Sequence, residues 1–456
     1  MNTTAGRAER IDRARIRELF EDETRMFVER HPRSRELAEH SSNSMVSGVP
    51  MPWMKRWPGP FPVFVDRADG GHFTDVDGHQ YIDFCLGDTG AMAGHNVPGL
   101  ADVIAHRATN GIAMMLPGDD AIHATRELTR RFGLPKWQFA MTATDANRFV
   151  TRLARGITGR PRIAVMDWCY HGTVDETLAV LDGSRVVSRP GAIGAPIDPS
   201  ATTRVVPFND VEALERELAA GDVACLLMEP ALTNIGIVLP DHGYLDAVRR
   251  ITREHGVILV IDETHTICAG PGGCTGAWGL EPDMLTIGKP IGGGVPVAVY
   301  GLSADIAERV ERLVSGHEVD VSGIGGTLSG NGLAVAAVRA TLSRTLLDDD
   351  YVRMTGIADT WTSGVRDVYI AHGLDWHVQQ LGCRAEYIYG PPPRNGAEAE
   401  ASMDKDLDAY LHLYMLNRGI LMTPFHNMAL ICPRHTVADA DRHTEVFAAA
   451  LSDLLD

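Results

Sequence analysis

Two stretches decide the fold: VILVIDETHT, residues 257–266, and LTIGKPIGGGVPVAVYG, residues 285–301. In the first, five apolar residues run without a polar break into Asp262. An apolar run of that length, without alternation, reads as a strand buried on both faces. In the second, a strand over Met284–Ile287 enters a glycine-rich turn that carries Lys289, and a further strand follows over Val297–Leu302. Working outward, Tyr244–His255 reads as a helix stopped by Gly256. Gln138–Thr142, Ile163–Met166 and Ala224–Glu229 read as strands, and Ala146–Thr158 as a helix with Phe149, Val150, Leu153 and Ile157 on one face. This alternation predicts an α/β fold with a mostly parallel central sheet flanked by helices. Open sheets of this kind bind ligands beyond the carboxyl ends of their strands. The residues that follow each strand are therefore the candidate site.

The flanks differ in character. Residues 1–40 place Ile16, Leu19, Phe20 and Phe27 at helical spacing and predict one or two amphipathic helices. Residues 46–64 are too rich in proline for a regular helix, and Phe64–Asp83 predicts a small antiparallel hairpin turning at Asp77-Gly78. Asp182–Thr203, rich in Gly, Pro and Ser, reads as an excursion loop. Beyond Gly332 a helix over Leu333–Leu346 leads to a mixed tail, with a strand at Met428–Cys432 and a helix at Val437–Leu455. The expected organisation is an N-terminal helix and hairpin segment over 1–95, a large ligand-binding domain over 96–331 and a smaller α+β domain over 332–456.

With 456 residues and 45% apolar content the chain can bury a large core without disulfide or metal staples. Its net charge of −18 argues against nucleic acid or an anionic membrane surface as a partner. No apolar run approaches the ~20 residues of a membrane span. The N-terminal segment is polar and charged and lacks the apolar core of a signal peptide. Seven scattered cysteines with no CxxC spacing predict reduced thiols and a cytoplasmic setting.

Four kinds of group stand at the strand ends. Lys289 lies in an otherwise apolar, glycine-rich turn, a setting that favours a neutral, nucleophilic amine. The turn is not a P-loop, because Asp283 and Pro290 occupy positions that a P-loop gives to Gly and Ser/Thr. Nor is it a dinucleotide fingerprint, because the third glycine is replaced by Val297. Asp262 is a carboxylate at the sheet edge, costly to bury unless it meets a cation or donors. Thr142-Ala143-Thr144 opens a helix and offers N–H groups to an anion. Tyr170 and His171 follow a strand with Trp168 and Gly172 and offer a flat surface. The loop Gly325–Asn331 is a second, hydroxyl-rich anion seat. An amine, a carboxylate, an anion cradle and an aromatic plate at one sheet edge match the needs of pyridoxal 5′-phosphate: aldehyde, ring nitrogen, phosphate and ring. A resident metal is not expected, since neither His171 nor His265 stands in a metal-ligand motif.

The motifs together resemble the class III aminotransferases of pyridoxal-phosphate fold type I, most closely their glutamate-1-semialdehyde 2,1-aminomutase-like branch. FTDVDGHQYIDF with GHNVPGL, RLARGITGR with CYHGTVDETL, LLMEPALTNIGIVLP, VILVIDETHT, LTIGKPIGGGVPVAVYG and GTLSGN follow in the family's order from about Gly48 onward. The resemblance implies Lys289 as the Schiff-base lysine and Asp262 as the partner of the pyridinium nitrogen. It implies Tyr170 on the ring and Thr142, Ala143 and Thr144 at the phosphate. His171, Glu229 and Thr264 join the cofactor contacts, and Thr327 reaches the phosphate of the neighbouring subunit in a homodimer with shared sites. Trp53, Arg56 and Asn234 are implied as substrate contacts. Two departures stand out. Thr142-Ala143-Thr144 replaces the usual Ser-Gly-Thr, and Ile267-Cys268-Ala269 stands where class III enzymes carry an arginine for an acceptor's carboxylate. Lys55 or Arg56 is the expected substitute, with Trp53, Met54 and Trp57 forming an apolar wall. The implied activity is transfer of an amino group from an amino acid or amine to a carbonyl acceptor. The alternatives are an aminomutase, or a racemase or epimerase, on the same site; a cofactor-binding regulator lacks its DNA-binding domain here.

Overall fold

The computed structural model describes residues 11–195, 197–315 and 323–456. The N-terminal expectation of helices falls on Arg13–Arg30 and Pro32–Ser41, while residues 1–10 lie outside the described residues. Asp12 caps the first helix by accepting from the Ala14 N–H, and Pro32 opens the second, where its missing N–H costs nothing. Ile16 and Phe27 are the buried face of the first helix. Residues 46–64 hold only short 3₁₀ turns, as their prolines require. The hairpin becomes a three-stranded antiparallel meander of β1 (Val65–Asp69), β2 (His72–Asp75) and β3 (Gln80–Asp83). Its β2–β3 turn uses Gly78 at φ 92°. A hydrogen-bonded clasp joins this meander to the helices: the Tyr81 hydroxyl donates to Asp75 at 2.8 Å and lies 2.8 Å from His31 Nε2.

The middle of the chain contributes β4 (Lys136–Ala140) and β5 (Arg162–Met166). The segment Asp182–Thr203, expected as a loop, is corrected in part. β6 (Ala179–Asp182) and β7 (Arg185–Ser188) form a two-stranded antiparallel hairpin, too short for a periodic signal to stand out. Next come β8 (Thr203–Val206), β9 (Val223–Met228), β10 (Ile258–Asp262), β11 (Met284–Ile287) and β12 (Ala298–Leu302). The seven-stranded sheet has the order β4-β12-β11-β10-β9-β5-β8. All its pairings are parallel except those of β12, which runs antiparallel to both β11 and β4. Every residue of β9, β10, β11 and β12 is buried, which is why these strands read as unbroken apolar runs. Burial of each Leu, Ile or Val stabilises the sheet by roughly 1.5–3 kcal/mol.

The helix expected over Ala146–Thr158 begins earlier, at Ala143, because Thr142 caps it by accepting from the Asp145 N–H at 3.2 Å. The helix expected over Leu333–Leu346 spans Gly332–Arg344, capped by Asn331. The C-terminal part holds a 24-residue helix, Asp348–Ala371, then β13 (His377–Leu381) and β14 (Arg384–Ile388). Strand β15 (Ile420–Leu421) pairs parallel with β3, and β16 (Met428–Leu430) pairs with β14, so the two chain termini build one body. The closing helix spans Val437–Leu455 as expected. All seven cysteines are buried and free. Among the described residues, no helix is long and apolar enough to cross a membrane.

Candidate active site

Strands β4, β5, β9, β10 and β11 all end at one edge of the sheet, and a cavity of about 420 Å³ opens there. It is lined by Thr142, Ala143, Thr144, Tyr170, His171, Glu229, Asp262, Thr264 and Lys289, along with Trp53 and His265. Nine of the residues singled out around the cofactor thus converge from five strand ends. Thr327 does not join them within the chain: it is exposed, in the loop before the helix Gly332–Arg344. Arg56 is exposed and Asn234 half-buried, and neither lines the cavity; Lys55 is also exposed.

Asp262 ends β10 and is buried. Its Oδ2 accepts from Asn147 Nδ2 at 2.8 Å and lies 2.9 Å from His171 Nδ1, while Oδ1 accepts from the Thr264 N–H at 3.0 Å. Burial works to raise its pKa, but the His171 contact, the Thr264 N–H and Asn147 overcome it and hold the carboxyl at about 2. Burial likewise opposes a charged His171, yet neighbouring Cys169 and the Asp262 carboxylate raise it well above the usual imidazole value. Asn147, missed in the sequence, is fully buried one turn into the helix Ala143–Thr158. Its Oδ1 accepts from the Thr286 hydroxyl at 2.6 Å, so β11 fixes the amide that orients Asp262.

Lys289 follows β11 with φ 51°, a left-handed conformation that costs a side-chain-bearing residue on the order of 1–2 kcal/mol. Its Nζ lies 2.8 Å from Asp88 Oδ2 and 2.6 Å from His265 Nε2. Gly288 before it is dictated by space. A Cβ there would meet the Ala143 Cβ at 3.1 Å and the Ala143 nitrogen at 3.3 Å. The end of β11 thus approaches the first turn of the helix Ala143–Thr158, whose leading N–H groups have no intrahelical acceptor. Gly172 is equally constrained, at φ 81° with a Cβ that would fall 2.1 Å from Thr144 Oγ1.

Tyr170 is half-buried, and its ring centroid lies 5.7 Å from that of Trp53, which in turn lies 5.8 Å from Phe425. Glu229 is buried, with Oε2 accepting from the Thr233 hydroxyl and Oε1 without a partner among the described residues. Burial pushes its pKa up to about 7, against the pull of His171 and Thr233. The folded protein therefore holds more protons than the unfolded chain between about 4.5 and 7. That stability is fully present below 4.5 and is lost as pH rises through 7, up to about 3 kcal/mol. Glu229→Gln is expected to flatten the decline in apoprotein melting temperature between pH 5 and 7.5. An unchanged slope would remove Glu229 as its source.

The residues fit pyridoxal phosphate. Thr264 Oγ1, His171 Nε2 and Glu229 Oε1 are buried polar atoms at the cavity with no partner among the described residues. An amine, an ionised carboxylate, a flat aromatic and free helix N–H groups face the same space. Fold and site together define a pyridoxal-phosphate enzyme of fold type I. Residues 53–359 match the family model of class III aminotransferases, and the chain belongs to that family.

Its relatives sharpen the picture. A glutamate-1-semialdehyde 2,1-aminomutase from Methanocella arvoryzae is 31% identical over 398 residues, 86% of this chain and 91% of its own. The solved structure of a glutamate-1-semialdehyde aminomutase variant from Pseudomonas aeruginosa PAO1, in complex with PMP, is 45% identical. It superposes with a TM-score of 0.96 over 98% of this chain and 100% of its own. An omega-transaminase from Sphaerobacter thermophilus is 26% identical, with a TM-score of 0.84 over 94% of this chain and 99% of its own. The cofactor is pyridoxal phosphate, as the family and the PMP complex of the relative establish.

Proposed function

We propose that the chain is an aminomutase of the glutamate-1-semialdehyde type, moving an amino group between neighbouring carbons of one substrate. The observation that carries this reading over external transamination is the 45% identity, spanning both chains almost end to end, to an aminomutase of that name. The cofactor, when bound, supplies an electron sink for the pair left on a carbon that loses its proton beside the amine. In this reading Lys289 holds the cofactor through Nζ. Once a substrate amine displaces it, the same nitrogen takes the proton from carbon and returns it at the neighbouring position, as general base and then general acid. Asp262, kept ionised by His171, Thr264 and Asn147, holds a proton at the ring nitrogen. The N–H groups of Ala143 and Thr144 and the hydroxyls of Thr142 and Thr144 hold the phosphate. Tyr170 offers its face to the ring.

A homodimer with shared sites is part of the proposal. Met114, Met115 and Leu116 are 60, 81 and 76% exposed, an apolar run that asks for cover. This run adjoins the exposed Thr327 loop, since the Gly332 N–H donates to the Ile112 carbonyl at 2.8 Å. One surface would thus bring Thr327 to the neighbour's phosphate.

A second reading, aminotransfer between two molecules, is favoured by the cavity wall. Trp53 and Tyr170 line it with Val295, Pro296 and Val297, and among the described residues Lys289 is the sole Lys or Arg in the lining. An amine with an apolar or aromatic body suits that wall. One experiment separates the two. With glutamate-1-semialdehyde as sole substrate and no acceptor, sustained formation of the isomer with nitrogen moved from carbon 2 to carbon 1 is expected. A single-turnover stop, restarted only by an added ketone or aldehyde, would favour the aminotransferase.

A further inference from the structure

Asp88 stands 201 residues before the lysine it touches, in a loop whose conformation serves that contact. Leu86, Gly87, Asp88 and Thr89 take φ values of 45°, 59°, 52° and 79°, four consecutive left-handed residues of which only one is glycine. Local bonds fix the loop. Asp83 Oδ1 accepts from the N–H groups of Cys85 and Leu86, and the Asp88 N–H donates to the Cys85 carbonyl at 2.9 Å. The result brings a carboxylate to the Nζ of Lys289, which lines the cavity. Oδ2 receives Lys289 Nζ, whereas Oδ1 is buried and has no partner among the described residues. The groups facing Asp88 are Lys289, His265 and His426, with Tyr170 nearby. Burial raises the Asp88 pKa, but Lys289 and the two histidines more than reverse it and keep the carboxyl well below its usual range.

His265 forms the other side of the lysine's seat. It is buried, and burial and Lys289 together lower its pKa well below the usual value, so the ring is neutral. Its Nδ1 lies 3.0 Å from Thr89 Oγ1 and 3.3 Å from Arg384 Nη1. An ammonium at Nζ only donates, so in the ion pair with Asp88 the Nε2 lone pair faces it and the ring proton is left to Nδ1, beside Thr89 Oγ1. Arg384 is itself anchored on β14 by the Thr233 carbonyl at 2.5 Å and by Glu386 at 3.3 Å. The small domain and the 86–89 loop therefore grip the two neighbours of one amine.

We propose that Asp88, with His265, is the resting seat of the Lys289 amine whenever that amine is released from the cofactor, and that Asp88 balances its charge after it has taken the substrate's proton. The inference rests on the reading of Lys289 as the cofactor-holding base. The proton balance is simple: a C–H bond breaks, an N–H bond forms on Nζ, and the ammonium pairs with Asp88 until the proton is delivered to the neighbouring carbon. Asp88 acts through Lys289 and is a positioning residue.

The test uses holoenzyme carrying Asp88→Asn. Three results are expected: visible cofactor absorption retained, kcat lowered roughly 10²-fold, and KM changed far less. The pH midpoint of that absorption should fall by about one unit, because a carboxylate near a cationic nitrogen favours its protonated form. Unchanged kcat and midpoint in a folded holoenzyme would overturn the proposal. If the asparagine variant does not fold, Asp88→Glu answers instead: a carboxylate displaced by one methylene should shift the midpoint and lower kcat, and wild-type values for both would overturn the seat. Borohydride reduction of the wild type, followed by peptide mass spectrometry, keeps the two claims apart. An adduct absent from Lys289 overturns the reading of the lysine; an adduct on Lys289 with silent Asp88 variants overturns only the seat.

Discussion

Lys289→Ala is expected to lower turnover by at least roughly 10⁴-fold and to abolish the borohydride-stable adduct of the cofactor. The proposed reaction uses Nζ twice, as the covalent anchor and as the base, so no neighbour can replace it. His265 is the nearest basic atom, with Nε2 at 2.6 Å, but burial, the largest cause of its lowered pKa, remains when the lysine is gone. It is therefore a poor substitute base. The fold should persist. Alanine inherits the left-handed backbone at this position, and the strands around it keep their packing. What the substitution leaves behind is the Asp88 carboxylate without its cation, which should lower stability and raise the Asp88 pKa. Far-UV circular dichroism, steady-state rates and mass spectrometry after reduction are the measurements. Turnover within tenfold of wild type would refute the assignment.

The sheet was legible in the sequence because burial on both faces imposes an apolar run, and a run that ends in Asp262 or Gly288-Lys289 marks an edge. The same logic found Thr142–Thr144, Tyr170 and His171 after β4 and β5. Strand direction was not legible. β12 reads like its neighbours, yet runs antiparallel to both, since an apolar run carries no arrow. Asn147 escaped because a polar residue inside an amphipathic helix reads as solvent-facing; only the closeness of Asp262 explains its burial. Asp88 escaped for a different reason. The sequence Gly87-Asp88-Thr89 reads as a turn, and its partner Lys289 is brought to it by the tertiary fold alone. Arg384 was hidden likewise: a fully buried arginine at the start of β14 has no sequence signature until Thr233, Glu386 and His265 surround it. Gly382 packs so closely on the Cys268 carbonyl and Ala269 that a Cβ would fall 2.1 Å from that oxygen. The hairpin β13–β14 thus sits against the turn at Cys268 and Ala269.

Asp262→Asn is expected to leave a coloured, folded holoenzyme whose rate is lower by roughly 10²–10⁴-fold. The carboxylate's contribution is its charge, since a neutral amide cannot stabilise a proton at the ring nitrogen in the same way. The shape is nearly conserved, but the amide has one oxygen, so either the Thr264 N–H or the Asn147 amide keeps its acceptor and the other side loses it. The loss spreads to His171. Without the carboxylate 2.9 Å from Nδ1, the imidazole loses a charge that raises its pKa, and burial then favours the neutral ring. Asn147→Ala discriminates charge from orientation. It removes one donor and leaves the carboxylate ionised by His171 and Thr264, so a smaller loss is expected, within about tenfold, roughly the 1.4 kcal/mol scale of one hydrogen bond to a charged group. If both variants fell equally, position rather than charge would govern the site. If Asp262→Asn turned over at near-normal rates with its visible band intact, the ring-nitrogen role would belong to another residue. Glu229, the other buried carboxyl at the cavity, would then be the first to substitute.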